Sequence, residues 1–254
     1  MVSFVRPPVA EVSLGVVFSP RPDLLIAHIG DFWNLIRDRY PRSEHAQLIL
    51  AEGEAPVQDR FGNWLPRVWF LGEDNCMLVQ IQQDRLYVNW RATEKDVPYP
   101  RFPAVKAEFD RVWGLFVGRV AELTGAPPVP VRVELSYTNF ILAGETVKST
   151  ADLSKVLKDY RWADDHKYLS PPSTVALNMT FPLRSGAGNL RVRTASAQRA
   201  RDKARGLHLE LQVVATLNEG QSLNELVEEG HETIVHAFED LTTAEMQVNH
   251  WIRG

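Results

Sequence analysis

Apolar and polar residues alternate along residues 78–92, LVQIQQDRLYVNWRA. Side chains two residues apart lie on the same face of a strand, so this stretch predicts two strands joined by a tight turn at Gln83 and Asp84. One face of the predicted hairpin is apolar and suited to a core: Met77, Val79, Ile81, Leu86, Val88 and Trp90. The opposite face is polar: Gln80, Gln82, Tyr87, Asn89 and Arg91. That polar face makes the hairpin a candidate functional surface.

The spacing of apolar residues divides the rest of the first half into strands and two helices. Besides the hairpin, it predicts strands at 11–18, 47–51 and 67–71, and a short helix at 31–40. A longer helix is predicted over residues 102–124, where apolar residues recur every three or four positions on one helical face. Gly125 and the prolines that follow it predict the end of this helix.

The second half shows a similar order of elements. It predicts strands at 131–142, 174–183, 190–199 and 207–217, with a short helical pattern at 152–160. Ser222 and Glu225 have the spacing of a capping box at the start of the last long helix. A further helical turn at the end of the chain is expected to be anchored by Met246 and Trp251.

We therefore predict an α+β fold built from an internally duplicated unit, each copy an antiparallel sheet with one short and one long helix. The two α+β halves are expected at 1–128 and 129–254, packed together as one pseudo-twofold body. Convergence of two ordinary α+β units is the alternative to duplication.

Composition is that of an ordinary globular protein, with 44% hydrophobic and 24% charged residues and a net charge of −4. The single cysteine, Cys76, excludes an intramolecular disulfide. Neither a signal peptide nor a membrane-length apolar run is visible in the sequence, so we expect a cytoplasmic protein without a membrane partner.

The motifs of common enzymes are missing from the sequence, and we predict no catalytic residue, no metal site and no cofactor. His231 and His236 superficially suggest a metalloprotease helix, but they are five residues apart and diverge on a helix, whereas metal-binding pairs of this kind are four apart. Any enzymatic activity is therefore left open, with a non-catalytic protein favoured.

The polar face of the hairpin has two interpretations. Its side chains form either a surface that recognises a ligand or partner, or a satisfied polar layer under a loop or between the two halves. Tyr137 and Asn139 add the same residue types to the second half. Under pseudo-symmetry, Tyr87 and Asn89 are expected to converge with this second pair.

Charge is unevenly distributed in the second half. Six basic residues stand close together between positions 189 and 206: Arg191, Arg193, Arg199, Arg201, Lys203 and Arg205. The following residues 207–252 contain no lysine or arginine and nine acids. The basic hairpin could track phosphates of a nucleic acid, or it could be solvated or pair with an acidic surface of its own or a partner chain.

Five motifs spread over nearly the whole chain resemble a sporadically distributed, uncharacterised bacterial protein family of about this length. They are PPVAEVSLGVVF, LVQIQQDRLYVNWR, YPRFPAVKAEF, ELSYTNFI and FEDLTTAEMQVNHW. The family carries no established activity, so the resemblance implies no catalytic residue. Where the family usually has the sequence arginine, tyrosine, isoleucine, asparagine, this chain has Ser136, Tyr137, Thr138 and Asn139, which puts a role for that arginine in doubt.

Three functions follow as hypotheses. The first is a non-catalytic binding or assembly protein that recognises a protein partner, as an antitoxin-like or defence-system accessory component does, because scattered distribution is typical of such genes. The second is nucleic-acid binding through the hairpin 190–205. The third is a ligand-binding or enzymatic cavity between sheet and helix. Association of two copies of the chain is a further option.

Overall fold

The computed structural model describes residues 2–50, 53, 55–93, 98–142, 147, 149–163, 165, 168–199 and 203–254. Its strands are β1 (Val9–Phe18), β2 (Arg42–Ala46), β3 (Arg67–Leu71), β4 (Met77–Gln82), β5 (Arg85–Arg91), β6 (Pro130–Leu142), β7 (Ala176–Pro182), β8 (Gly188–Gln198) and β9 (Arg205–Thr216). Its α-helices are α1 (Ile26–Ile36), α2 (Phe102–Thr124) and α3 (Leu223–Leu241). A 3₁₀ helix covers Thr150–Lys155, and a π-helical segment covers Met246–His250.

The strands form a nine-stranded antiparallel sheet in the order β2-β3-β4-β5-β1-β6-β9-β8-β7. An antiparallel sheet accompanied by a few helices is an α+β fold, as the sequence predicted. The described residues divide into two compact units. The N-terminal unit comprises 11–135 with 216–223, and the C-terminal unit comprises 1–10, 136–215 and 224–254. No helix in these described ranges is both long enough and apolar enough to cross a membrane.

In the N-terminal unit, α1 and α2 cover the apolar side of the strands. The ring of Phe18 in β1 lies 5.6 Å from that of Phe116 in α2, and Phe32 of α1 lies 6.4 Å from Phe70 of β3. Burial of these large rings removes apolar surface from water and supplies much of the favourable free energy of this core.

The hairpin and the long helix of this unit follow the sequence prediction closely. Val79 pairs with Val88 and Ile81 with Leu86, which leaves Gln83 and Asp84 at the turn. Helix α2 ends where predicted because Gly125 has a φ of 83°, and its amide donates to the carbonyl of Ala121. A side chain at this position would be strained in that left-handed conformation.

In the C-terminal unit, α3 covers the buried side of β8 and β9. The end of the chain folds back on this helix, with the ring of Trp251 lying 4.8 Å from that of Phe238 in α3. Met246 and Trp251 are both buried, which confirms their predicted anchoring role.

Three predicted elements differ from the structure. The strand expected at 47–51 lies earlier, in β2, whose exposed polar sequence RSEHA carries no apolar alternation to mark it. The short helix begins earlier than residue 31, since its buried row starts at Ile29. The helical pattern at 152–160 gives only the 3₁₀ helix, because the Lys158 amide donates to the carbonyl of Leu241 instead of continuing a helical ladder.

Candidate functional site

The polar face of the hairpin forms a hydrogen-bonded relay across the strands of the N-terminal unit. Trp69 Nε1 donates to Gln80 Oε1 over 3.0 Å, and Gln80 Nε2 donates to Asn89 Oδ1 over 2.7 Å. Asn89 Nδ2 then donates to Glu11 Oε1 over 2.6 Å. Gln80 and Asn89 are buried, so each bond replaces water that these amides would otherwise bind.

Tyr87 extends the polar layer from β5 toward β6. Its hydroxyl donates to Glu134 Oε2 over 2.8 Å, and Arg132 Nε donates to the other oxygen of the same carboxylate. The ring of Tyr87 lies directly over Gly15 of β1, where a Cβ would stand 2.0 Å from a ring carbon. Burial and the neighbouring Glu134 carboxylate raise the pKa of Tyr87, so its hydroxyl remains protonated and acts as a donor.

The turn of the hairpin holds a buried ion pair. Arg85 is almost completely buried and contacts Asp84 through Nε and a terminal nitrogen, at 2.9 and 2.6 Å. Gln82 binds both the amide and the carbonyl of Ile49 and donates to Asp84 Oδ1. The segment after β2 is thereby fixed to the hairpin.

Arg91 lies at the less buried end of the polar face. Its Nε donates to the carbonyl of Asn75 over 3.0 Å, and its guanidinium lies 5.5 Å from the ring centre of Trp69. Arg67 lies 5.3 Å from the same ring, and burial lowers the pKa of its guanidinium. Gln80, Gln82, Tyr87 and Asn89 are therefore buried and bonded within the chain, whereas Arg91 is half-buried.

Tyr137 and Asn139 have partners of their own in the C-terminal unit. The Tyr137 hydroxyl lies 3.0 Å from His231 Nδ1 of α3, and Asn139 Nδ2 donates to the carbonyl of Leu209. Burial lowers the pKa of His231 to about 4, so the imidazole is neutral at physiological pH. Tyr137 and Asn139 therefore serve the packing of α3 and β9 against β6.

The predicted basic hairpin is divided by the alternation of its strands. Arg191 and Arg193 are exposed on one side of β8, where Arg193 pairs with Glu210 at 3.4 Å. Arg199 continues that side, with its guanidinium 5.4 Å from the ring centre of Phe140. Arg205 pairs in register with Gln198 and lies on the opposite side. Lys203 has a φ of 59° in the connecting turn, and Arg201 lies outside the described residues.

Strand β7 forms one edge of the sheet. Hydrogen bonds from Leu183 to Gly188 and from Ser196 to Val175 join it to β8 through its odd-numbered residues. In an antiparallel ladder the intervening residues direct their amides and carbonyls away from the paired neighbour. Among the described residues, the outward backbone groups of Asn178 and Thr180 therefore have no strand to pair with at this edge, and Pro182 has no amide to donate.

A groove lies beside this edge, between β7 and α3. Its floor is apolar and contains Phe181, which is 41% exposed, together with Leu190, Ala237 and Leu241. Its rim is charged: Glu232, Asp240, His236 and Arg184. The enclosed space is about 230 Å³, below the roughly 300–1,000 Å³ of pockets for small molecules, so it suits individual side chains.

The sequence prediction did not identify this edge and groove. The alternation of Leu177, Met179 and Phe181 marked β7 as a strand, and the acidic character of α3 was visible. The position of β7 at the sheet edge follows only from the order in which the strands pair, which local patterns do not encode. The lack of basic residues in α3 is a sequence signal for the acidic rim of the groove, but not for the edge position of β7.

The chain matches no protein-family model and no curated protein. One solved structure with a weak similarity to this chain is the crystal structure of the di-domain ARO/CYC StfQ from the steffimycin biosynthetic pathway. The two are 10% identical over 90% of this chain and 96% of that chain, with a TM-score of 0.15. A similarity at this level carries no argument about fold or function.

Proposed function

We propose that this chain is a non-catalytic binding protein that recognises a protein partner through edge strand β7. The observation that carries the proposal is an edge that no strand covers in the part of the chain that the structure describes. There Asn178 and Thr180 direct backbone groups outward beside the partly exposed ring of Phe181. Such an edge is a template for pairing with another chain, and stable proteins usually protect it.

The opposite edge of the sheet provides a contrast. Strand β2 has only five residues, and its sequence, RSEHA, is polar and charged apart from the final alanine. Short, charged edge strands discourage pairing with other chains. β7 has seven residues, and its side toward α3 carries Leu177, Met179 and Phe181. We therefore expect a partner protein to cover the apolar edge at β7.

Two features count against the other interpretations. Gln80, Gln82, Tyr87 and Asn89 of the hairpin are buried and bonded within the chain, so they are poorly placed to meet a partner. The layer between α2 and the sheet is filled by Val105, Phe109, Val112 and Phe116, each almost completely buried. A cavity for a substrate between sheet and long helix has little support from that packing.

The proposal is tested by capture of a partner from the native host with three forms of the full chain. Thr180→Pro removes an outward amide, and proline is tolerated at such edge positions because the ladder to β8 does not use that amide. Thr180→Val keeps the amide and is the matched control. We expect a protein retained by wild type and by the valine variant and lost with the proline variant. Equal retention by all three forms, or no specific retention by wild type, contradicts the proposal.

Nucleic-acid binding is a second candidate, favoured by Arg191 and Arg193, which are exposed on the same side of β8. Two guanidiniums about 7 Å apart along a strand could contact successive phosphates. Reversal of both to glutamate should then abolish binding to DNA or RNA and flatten its salt dependence. Arg205→Glu, on the opposite side of the sheet, is the control. Binding that persists in the double variant excludes this candidate.

The internal duplication is also part of our proposal. From β1 the strand order runs β1-β5-β4-β3-β2, and from β6 it runs β6-β9-β8-β7, so that β2 alone among these strands has no counterpart. In each case the first strand is followed by the last and the others return in sequence, which supports descent from one repeated unit. The cytoplasmic location, the resemblance to a sporadic bacterial family, and the antitoxin-like or defence-accessory role remain predictions within this proposal.

A further inference from the structure

We infer that the partner presents an extended segment that pairs with β7 and inserts a lysine or arginine, flanked by apolar residues, into the groove beside α3. This inference rests on the proposed function and names the chemistry of the partner. Three features of this region support it: the outward direction of the β7 backbone groups, the apolar floor of the groove, and the charge of the groove rim.

The pairing direction fixes which side chains of the partner meet the groove. A strand added to β7 continues the pleat, so every second side chain lies on the side of Phe181 and the groove. The intervening side chains lie on the other side, near exposed Arg191, which pairs in register with Thr180. Those intervening positions therefore favour neutral or acidic residues.

The rim of the groove selects a basic residue at the side facing α3. Helix α3 carries six carboxylates and no lysine or arginine: Glu225, Glu228, Glu229, Glu232, Glu239 and Asp240. Two carboxylates, Glu232 and Asp240, line the groove together with Arg184 and with His236, whose ring lies 3.8 Å from Glu232. A long basic side chain can lay its methylene stem on the apolar floor while its charged end reaches these carboxylates.

The same charges disfavour a second copy of this chain as the occupant. Pairing of two β7 strands about a twofold axis would bring two acidic α3 helices to the same side of the joined sheet. Like charges facing each other across such a contact reduce affinity. The acidic residues of α3 attract a basic partner and repel a second copy of this chain.

The test is an amide NMR titration of the full chain with acetyl-Thr-Val-Thr-Lys-Thr-Val-Thr-amide as probe and the same peptide with Glu in place of Lys as its matched control. We expect saturable shifts at Asn178 and Thr180 with the lysine peptide. The glutamate peptide should bind about tenfold or more weakly. Glu232→Gln combined with Asp240→Asn should remove most of that difference, and Thr180→Pro should abolish the shifts while Thr180→Val retains them.

Several outcomes overturn the inference and separate it from the proposed function. Equal affinity for both peptides excludes a basic partner. If millimolar lysine peptide causes no shifts at the β7 amides, then this peptide does not pair with β7. A wild-type dimer that Thr180→Pro converts to a monomer assigns the edge to a second copy. If a captured partner depends on Thr180 but is insensitive to the Glu232 and Asp240 substitutions, this inference fails and the proposed function stands.

Discussion

The hydroxyl of Tyr87 in β5 donates to the carboxylate of Glu134 in β6 over 2.8 Å. To reach it, the Tyr87 ring passes over Gly15 of the intervening strand β1. This contact requires glycine at position 15, because any larger residue would occupy the space of the ring. It also explains why Tyr87 belongs to an internal layer, because its ring lies on strand β1 and its hydroxyl is bonded to Glu134.

Gly15→Ala is expected to destabilise the fold by about 1–3 kcal/mol, the usual cost of overpacking, because its Cβ would meet the Tyr87 ring. The same substitution should cost much less in a Tyr87→Ala background. Gly118→Ala is the control, since nothing lies near the position where its Cβ would be, and alanine there should stabilise α2 by up to about 1 kcal/mol. Urea unfolding of wild type, the three single variants and the double variant measures these free-energy differences. An equal cost of Gly15→Ala in both backgrounds contradicts the assigned contact.

The relay through Gln80 and Asn89 predicts strong coupling between these two residues. Gln80→Leu leaves the indole of Trp69 and the amide of Asn89 without their partner, and we expect a loss of about 1–3 kcal/mol. Asn89→Leu should cost a similar amount. The double variant should cost clearly less than the sum, because both ends of one hydrogen bond are then absent. Additive losses in equilibrium unfolding would show that the relay is not a unit.

His231 predicts a loss of stability in acid. Folding lowers its pKa from about 6.5 to about 4, so the folded chain favours the neutral imidazole and the unfolded chain binds the proton more readily. The contribution of His231 is intact above pH 6.5 and is lost as the pH falls toward 4. With allowance for its partial exposure, the loss is on the order of 2 kcal/mol.

The matched variant for this prediction is His231→Gln, whose amide can still hydrogen-bond to the Tyr137 hydroxyl. The difference in unfolding free energy between wild type and variant should shrink between pH 7 and pH 4. A difference that stays constant over this range would mean that His231 does not titrate on unfolding.

The local sequence pattern predicted an element correctly where one side of that element is apolar and a glycine or proline marks its end. Helix α2 has both properties, with Val112 and Phe116 on its buried side and Gly125 at its end, and its predicted bounds are those of the structure. Pattern was insufficient for β2, whose side chains are mostly exposed and whose formation depends on pairing with β3.

The candidate site shows the same limit. The polar residues of the hairpin were identified from sequence, but whether Gln80 and Tyr87 face solvent or protein depends on what covers them. The edge position of β7 depends on pairing between strands that are distant in sequence. Pairing between strands that are distant in sequence decides both the burial of the hairpin face and the edge position of β7. The spacing of residues along one strand carries no information about that pairing.

Hydrogen–deuterium exchange of the β7 amides, with and without a captured partner, tests the central claim most directly. In the free chain the outward amides of Asn178 and Thr180 should exchange quickly, while those of Met179 and Phe181, directed toward β8, should be protected. Addition of the partner should slow exchange at Asn178 and Thr180 and leave the inward amides nearly unchanged. Unaltered exchange at these two outward amides in a saturated complex would contradict recognition through this edge.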